Sequence, residues 1–297
     1  MSKALKIILL FLKILLGLVF IFSAVAKMIG IDRFEVYVYS FGFFSMDWAF
    51  ILARICIAGE FLLGVGLVSN LCNRLTTTVT LLVLLLFTIF LSYTALIGRT
   101  DSCQCFGSLV EISPVRSIIK NAILILLTML VRPVPSFQWR PKWYLWAIAI
   151  VAPFAAVFIF SPLDSWMFKQ KGAPYNEEYY EQHFQPSEIY QQASLGEGRR
   201  LVAFVTPKCP YCKMAMQKIE TFQKRYHIDS NAIVYLVPQS LDTVAVDYHP
   251  FYVNDTAFLY MTYGNRPLIM LLQDGAPVET YHYRNIKEDE IADFLGK

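Results

Sequence analysis

Along the first 170 residues, apolar side chains run in long blocks separated by short polar stretches. Five blocks stand near residues 5–26, 48–68, 75–97, 117–131 and 143–160. Each approaches the ~20 residues that a helix needs to cross a ~30 Å hydrocarbon core. The fourth is short and starts at an amphipathic entry, Arg116–Lys120. Helices satisfy their own backbone hydrogen bonds in lipid, so this half is expected to be an all-α membrane helical bundle. The first block offers a small-x-small cleavage site at Ser23-Ala24-Val25-Ala26. Its apolar run exceeds the roughly 7–15 residues of a signal-peptide core and Lys13 interrupts it, so it is read as a retained span.

From residue 172 the pattern changes to short alternating segments. Residues 200–205 (RLVAFV) read as a strand bounded by Gly198 and Pro207. In 206-TPKCPYCKMAMQKIETFQKRY-226, Cys212, Met216, Ile219, Phe222 and Tyr226 recur at helical spacing, so Cys209-Pro210-Tyr211-Cys212 opens a helix. A strand at 232–238, a helix at 252–262, a hairpin of 268–273 and 278–283 around Asp274-Gly275, and a closing helix at 287–296 follow. The expected organisation is a four-helix transmembrane domain at 1–135, a fifth transmembrane helix at 136–171, a linker at 172–198 and an α/β domain at 199–297. As flexible coil, the ~35 residues between Ser161 and Gly198 would reach about 30 Å.

Composition and charge sharpen this division. Charged residues are 16% of the chain, against roughly 25% in soluble domains. Residues 1–171 hold 15 basic and 7 acidic side chains, net +8, and residues 172–297 hold 11 and 16, net −5. No basic, aromatic-laced surface suggests nucleic acid. The lipid bilayer is the first expected partner.

The cysteines carry the candidate chemistry. Of Cys56, Cys72, Cys103, Cys105, Cys209 and Cys212, four form two tight pairs, Cys103-Gln-Cys105 and Cys209-Pro-Tyr-Cys212. At a helix N-terminus the first N–H groups and the macrodipole favour a thiolate, and Lys208 and Lys213 add positive charge. Cys209 is the expected attacking sulfur and Cys212 the resolving one. Cys103 and Cys105 can close a small ring, because neighbours two apart reach the roughly 4.4–6.8 Å Cα window, and such a strained ring is oxidising. Gly107 lets the chain turn back toward the membrane. A zinc site is disfavoured by the 104-residue gap between the pairs. No metal is expected. Haem is not expected in the bundle either, since no histidine precedes His183.

Several charged residues stand inside the apolar blocks. By helical rise, Lys13 and Glu60 both lie about 12 Å from the inner face, which makes them a candidate ion pair; Lys13 snorkelling beside a protonated Glu60 stays open. The same ruler puts Arg54, Cys56 and Lys120 roughly 6–12 Å below the outer surface, under the Cys-x-Cys loop. There a cation could stabilise a thiolate or a reduced quinone oxygen. Cys56 taken alone reads as a small buried hydrophobe.

The order strand–CPYC–helix, with the later elements, resembles the thioredoxin superfamily over about 110 residues, and the tetrapeptide is similar to that of glutaredoxins. The resemblance implies a cis-proline at Pro267, facing the cysteines. Arg266 replaces the small residue usual before that proline, and Lys208 replaces the usual Trp. Within the apolar half, 17-GLVFIFSAVAKM-28, 54-RICIAGEFLLGVGL-67 and 101-DSCQCFG-107 resemble DoxX-like membrane proteins, most closely the MauE branch associated with methylamine utilisation. That resemblance implies a four-helix bundle partnered by thioredoxin-like proteins in disulfide formation.

Two crossings separate the Cys-x-Cys loop from the C-terminal domain, so both face one compartment. The positive-inside count is tied. The N-terminus is placed inside because two cysteine pairs facing each other suit an oxidising compartment. The expected location is a bacterial inner (plasma) membrane, multi-pass, with the thioredoxin-like domain periplasmic. The expected function is a thiol-disulfide oxidoreductase that passes electrons from exported thiol-containing proteins through Cys209–Cys212 to Cys103–Cys105 and on to a membrane quinone. A reducing relay in the opposite direction, and a non-turnover maturation or anchoring factor for one client complex, stay open.

Overall fold

The computed structural model describes residues 3–70, 72–98, 113–135, 143–163, 172–241 and 250–296. The chain falls into two compact units, residues 1–38 with 48–162, and residues 39–47 with 163–297.

The first unit is helical: α1 Lys3–Ile29, α2 Ile31–Tyr39 (the last residue of which groups with the second unit), α3 Met46–Ser69, α4 Asn73–Leu96, α5 Pro114–Val131 and α6 Trp143–Phe160. By length and composition, α1, α3 and α4 can cross a membrane. The outer surface supports that reading. Ile7, Phe11, Leu86, Ile89 and Leu126 are each at least 66% exposed, while Lys13, Asn73, Thr77 and Thr128 are fully buried. In water such a surface would be an aggregation hazard; in lipid it is the expected arrangement.

Inside the bundle, Leu9, Leu16, Phe20, Leu67, Leu84 and Val131 share one apolar cluster. α5 packs on α4 and α1. α6 adds Phe154 and Val157 to a second cluster with Ala24, Ala53 and Ile57. α1 and α3 meet through glycine. A Cβ on Gly17 would lie 2.8 Å from the Gly64 carbonyl oxygen, and one on Gly64 would lie 2.8 Å from the Gly17 carbonyl oxygen. Small residues let membrane helices approach this closely. α2 was not expected as a helix, because Asp32, Arg33 and Glu35 interrupt the apolar pattern there.

The second unit is built on a five-stranded mixed sheet, ordered β3-β2-β1-β4-β5. Its strands are β1 Arg199–Phe204, β2 Ile233–Pro238, β3 Phe251–Val253, β4 Leu268–Gln273 and β5 Ala276–Tyr281. β1, β2 and β3 run parallel, while β4 is antiparallel to both β1 and β5. The first crossover is α9, Pro210–Tyr226. α10 Asp255–Thr262 connects β3 to β4, and α11 Glu288–Leu295 ends the chain. β2 is buried at every position, as a central strand covered on both faces should be.

The expected linker at 172–198 is replaced by folded structure. α7 Glu177–Tyr179 runs into a π-helical turn at Tyr180–Phe184, and α8 Glu188–Gln192 follows. Tyr180, Phe184, Ala193 and Leu195 enter one core with Phe204, Leu236 and Met270. Tyr180 Oη donates to the Gly275 carbonyl at 2.8 Å, and Thr280 Oγ1 donates to Ala173 O at 2.8 Å. The aromatic residues bury too much apolar surface against the sheet to stay as coil, so a free tether between the units does not include 172–198. The described half of the chain ahead of it is a membrane helical part, and this half is a mixed-sheet α/β domain.

Candidate active site

β1 delivers the chain into the turn that carries the first candidate residues. Beyond Phe204, Cys209 N–H donates to Thr206 O at 3.1 Å, which closes the loop, and Lys213 N–H donates to Cys209 O at 3.1 Å, which starts α9. Cys209 is the N-cap, with extended backbone (φ −81°, ψ 122°), and Pro210 occupies the first helical position. A proline is well placed there, because its missing N–H would have had no intrahelical acceptor.

One helical turn separates the two sulfurs into different environments. Cys209 is half-buried and faces the orphan N–H groups and positive end of the helix. Cys212 is fully buried. Burial pushes the Cys212 thiol up to about 12, opposed in part by hydrogen bonding to Thr206, whose hydroxyl lies 3.8 Å from the sulfur. The side chains of Lys208 and Lys213 are exposed on either side of the pair.

The register of the sheet brings Pro267 to this end. Phe204 pairs with Leu268, so Pro267 stands one position beyond, opposite Val205. The Arg266–Pro267 peptide is cis, Pro267 is buried and Arg266 is exposed. Tyr211, inside the tetrapeptide, stacks on Tyr283. Tyr283 in turn holds Lys218, whose ammonium donates to its carbonyl at 2.7 Å. Burial lowers the pKa of neighbouring His282, and the positive Arg284 and Lys218 lower it further. Thr206 and Tyr283 were not among the residues singled out from the sequence. Neither carries a motif, and only the fold brings them to the cysteines.

The charged residues of the helical unit sort differently from expectation. Glu60 does not pair with Lys13. It accepts from Lys27 Nζ at 2.6 and 2.7 Å and from Ser23 Oγ at 3.1 Å. Lys13 Nζ donates to Asn70 Oδ1. The reason is register. The Gly17–Gly64 contact sets α1 against α3 so that Lys13 is level with Asn70, and the side chains of Lys27 and Glu60, each leaning toward its own helix N-terminus, lean toward one another. A 27-residue α1 is about 40 Å long, so its ends do not mark the same planes as those of α3.

Arg54 is likewise not beside Cys56 and Lys120. Two residues apart on a helix is about 200° of rotation, which turns Arg54 away from them. Its guanidinium is ion-paired with Glu35 and donates to Phe50 O at 3.0 Å, Ser161 O at 2.7 Å and Pro162 O at 2.8 Å. Cys56 is exposed rather than buried among apolar neighbours, and it lines a cavity with Lys27, Glu60 and Lys120. Cys103, Cys105 and Gly107 lie outside the described residues. Among the described residues, no group of three or more His, Cys, Asp or Glu side chains is arranged to hold a metal ion.

This geometry can be set beside known proteins. Residues 5–134 match the family model described as Methylamine utilisation protein MauE. That stretch takes in nearly all of α1 to α5 and the first apolar cluster, while α6, with Phe154 and Val157 of the second cluster, lies beyond it. A curated protein similar to the chain is "Protein TlpB" of Flavobacterium psychrophilum, 37% identical over 127 residues, which is 39% of this chain and 34% of that protein. The chain therefore spans about a third of the length of this curated relative. No solved structure matches the chain.

Proposed function

We propose that the protein is a membrane thiol–disulfide oxidoreductase whose C-terminal domain is thioredoxin-like. The observation that carries this reading is the asymmetry of Cys209 and Cys212 at the start of α9: one sulfur reachable, the other buried and held as thiol, with a cis-proline at the adjacent strand end. A structural dithiol needs no such division. Attack and resolution do.

With Cys209–Cys212 oxidised, a substrate thiolate attacks Cys209 and Cys212 leaves as a thiol. A second substrate thiol then attacks the mixed disulfide and frees Cys209. The exported substrate loses two electrons and two protons, and the pair becomes a dithiol. Cys209 next attacks the Cys103–Cys105 disulfide and Cys212 resolves the adduct, which moves the reducing equivalents to the membrane loop. Reoxidation of Cys103–Cys105 passes two electrons and two protons to a membrane quinone, giving the quinol. In this reading the C-terminal domain and the Cys-x-Cys loop both work on the periplasmic side of a bacterial inner membrane.

Purified protein supplied with a reduced dithiol peptide and a short-tail quinone tests the reading. Many disulfides per protein are expected, with none from Cys209→Ser. One disulfide per protein would instead favour a maturation factor that acts once per client. The resting state in cells tests the direction: oxidised Cys209–Cys212 supports it, and a mostly reduced pair overturns it.

A further inference from the structure

The helical unit contains a cavity of about 370 Å³ whose lining comes from α1, α2, α3, α4 and α5. Most of it is apolar, with Phe20, Phe34, Phe87 and Leu124 among its walls. One part is not. Ser23, Lys27, Glu60, Lys120 and Asn121 all reach it, and Lys27 Nζ, Ser23 Oγ and the Glu60 carboxylate form a closed hydrogen-bonded triangle there. Charges this deep among membrane helices are costly and belong to function more often than to stability. The Lys27–Glu60 pair does not close the cavity, since the Glu60 side chain keeps 24% of its surface accessible against 3% for Lys27.

We propose that this cavity binds the head group of a membrane quinone. Its volume lies in the roughly 300–1,000 Å³ range of small-molecule sites, enough for one ring and the first part of a tail. Two ammonium groups and one carboxylate line it, so the field favours an electron-rich oxygen such as a quinone carbonyl. Lys120 and Asn121 supply donors, while the Ser23 hydroxyl is committed to the Glu60 carboxylate. When a protein dithiol becomes a disulfide, the two electrons and two protons it loses are those that convert the two carbonyls to hydroxyls. The redox consequence rests on the relay proposed above; the binding does not.

Gly59 gives a direct handle. It lines the cavity, and a Cβ built there meets nothing within 4 Å, so a large side chain would enter the open space rather than displace helix backbone. The test uses the full chain, purified free of quinone into nanodiscs and titrated with a decyl-tailed benzoquinone by equilibrium dialysis. One saturable equivalent is expected for the wild type. Gly59→Phe should weaken binding at least tenfold and Lys120→Met at least threefold. A Cys103→Ser/Cys105→Ser protein should bind as the wild type does, which separates failure of the site from failure of the relay. If Gly59→Phe does not fold, Lys120→Met decides. No saturable binding by the wild type, or undiminished binding by a folded Gly59→Phe and by Lys120→Met, overturns the proposal. So does decanoic acid competing at equal molar potency, which would assign the cavity to an acyl carboxylate.

Discussion

The ring of Tyr211, inside the Cys-Pro-Tyr-Cys turn, stacks on Tyr283 with centroids 4.8 Å apart and planes inclined by 29°. Tyr283 is 5% exposed and Tyr211 is 48% exposed, so a core residue supports a surface residue beside Cys209 and Cys212. Arg284 Nε donates to the Tyr283 hydroxyl at 2.6 Å. Tyr283→Phe keeps the ring and loses that hydrogen bond, and should cost about 1 kcal/mol in urea unfolding. Tyr283→Ala removes the ring and should cost about 3–5 kcal/mol, with slower peptide oxidation because Tyr211 loses its backing.

Burial of Cys212 has a pH signature. Its thiol is pushed up to about 12, above the ~8.5 of an unfolded cysteine. A group raised in this way stabilises the folded state below its unfolded value, and that contribution is lost as pH rises toward the folded one. The reduced protein should therefore lose stability between about pH 9 and 12. Tyr226, also raised to about 12 by burial and by its hydrogen bond to Asp289, contributes with the same sign. The difference between wild type and Cys212→Ala isolates the thiol. At pH 8, iodoacetamide should modify Cys209 and leave Cys212 intact until the chain is denatured.

Arg54 and Glu35 form a pair whose side chains are each 2% exposed. Arg54→Gln strips Glu35 of the guanidinium and should destabilise the helical unit by about 3–5 kcal/mol. The pH profile of Cys103 alkylation should not move, since the guanidinium is committed to Glu35 and to backbone carbonyls. An Arg54→Met/Glu35→Leu double variant should recover much of the loss. Thermal melting in detergent orders the three proteins.

The glycine contact between α1 and α3 leaves no room for a methyl group. Gly64→Ala would bring Cβ to 2.9 Å from the Ile21 backbone nitrogen and 2.8 Å from the Gly17 carbonyl. Backbone cannot yield as a flexible side chain can, so a loss of about 1–3 kcal/mol is expected in thermal melts. Gly59→Ala, which meets nothing within 4 Å, should stay near wild type.

Much of this was legible in the chain. The Cys-Pro-Tyr-Cys turn at a helix start follows from the spacing of Cys212, Met216, Ile219 and Phe222, all buried on one face of α9. The strand at 200–205 follows from β-branched and apolar residues between Gly198 and Pro207 and is observed at Arg199–Phe204, and the hairpin around Asp274-Gly275 is observed with its second strand at Ala276–Tyr281, two residues earlier than expected. What failed was depth and rotation within the bundle. Measuring Lys13 and Glu60 from guessed span ends ignored the overhang of α1, and placing Arg54 with Cys56 ignored the turn of the helix between them. The Glu35 pairing with Arg54 has no sequence signal, because Asp32 and Arg33 beside it break the apolar pattern and only the fold brings the two together. The segment 172–198 read as a linker because its polar residues outnumber its aromatics, although Tyr180 and Phe184 stand one helical turn apart. β3, three residues long, is too short to give a periodic signal.

The most direct measurement is a trap. In a Cys212→Ser protein the resolving sulfur is gone, so an adduct between Cys209 and the membrane loop is not resolved forward and accumulates, leaving only its reversal by the freed loop thiol. Non-reducing digestion and mass spectrometry should find Cys209 joined to Cys103 or Cys105, and the adduct should vanish in a Cys103→Ser/Cys105→Ser background. If Cys209 is instead found free or joined only to small thiols, with Cys103 and Cys105 still bonded to each other, the two sulfur pairs do not exchange and the relay is wrong.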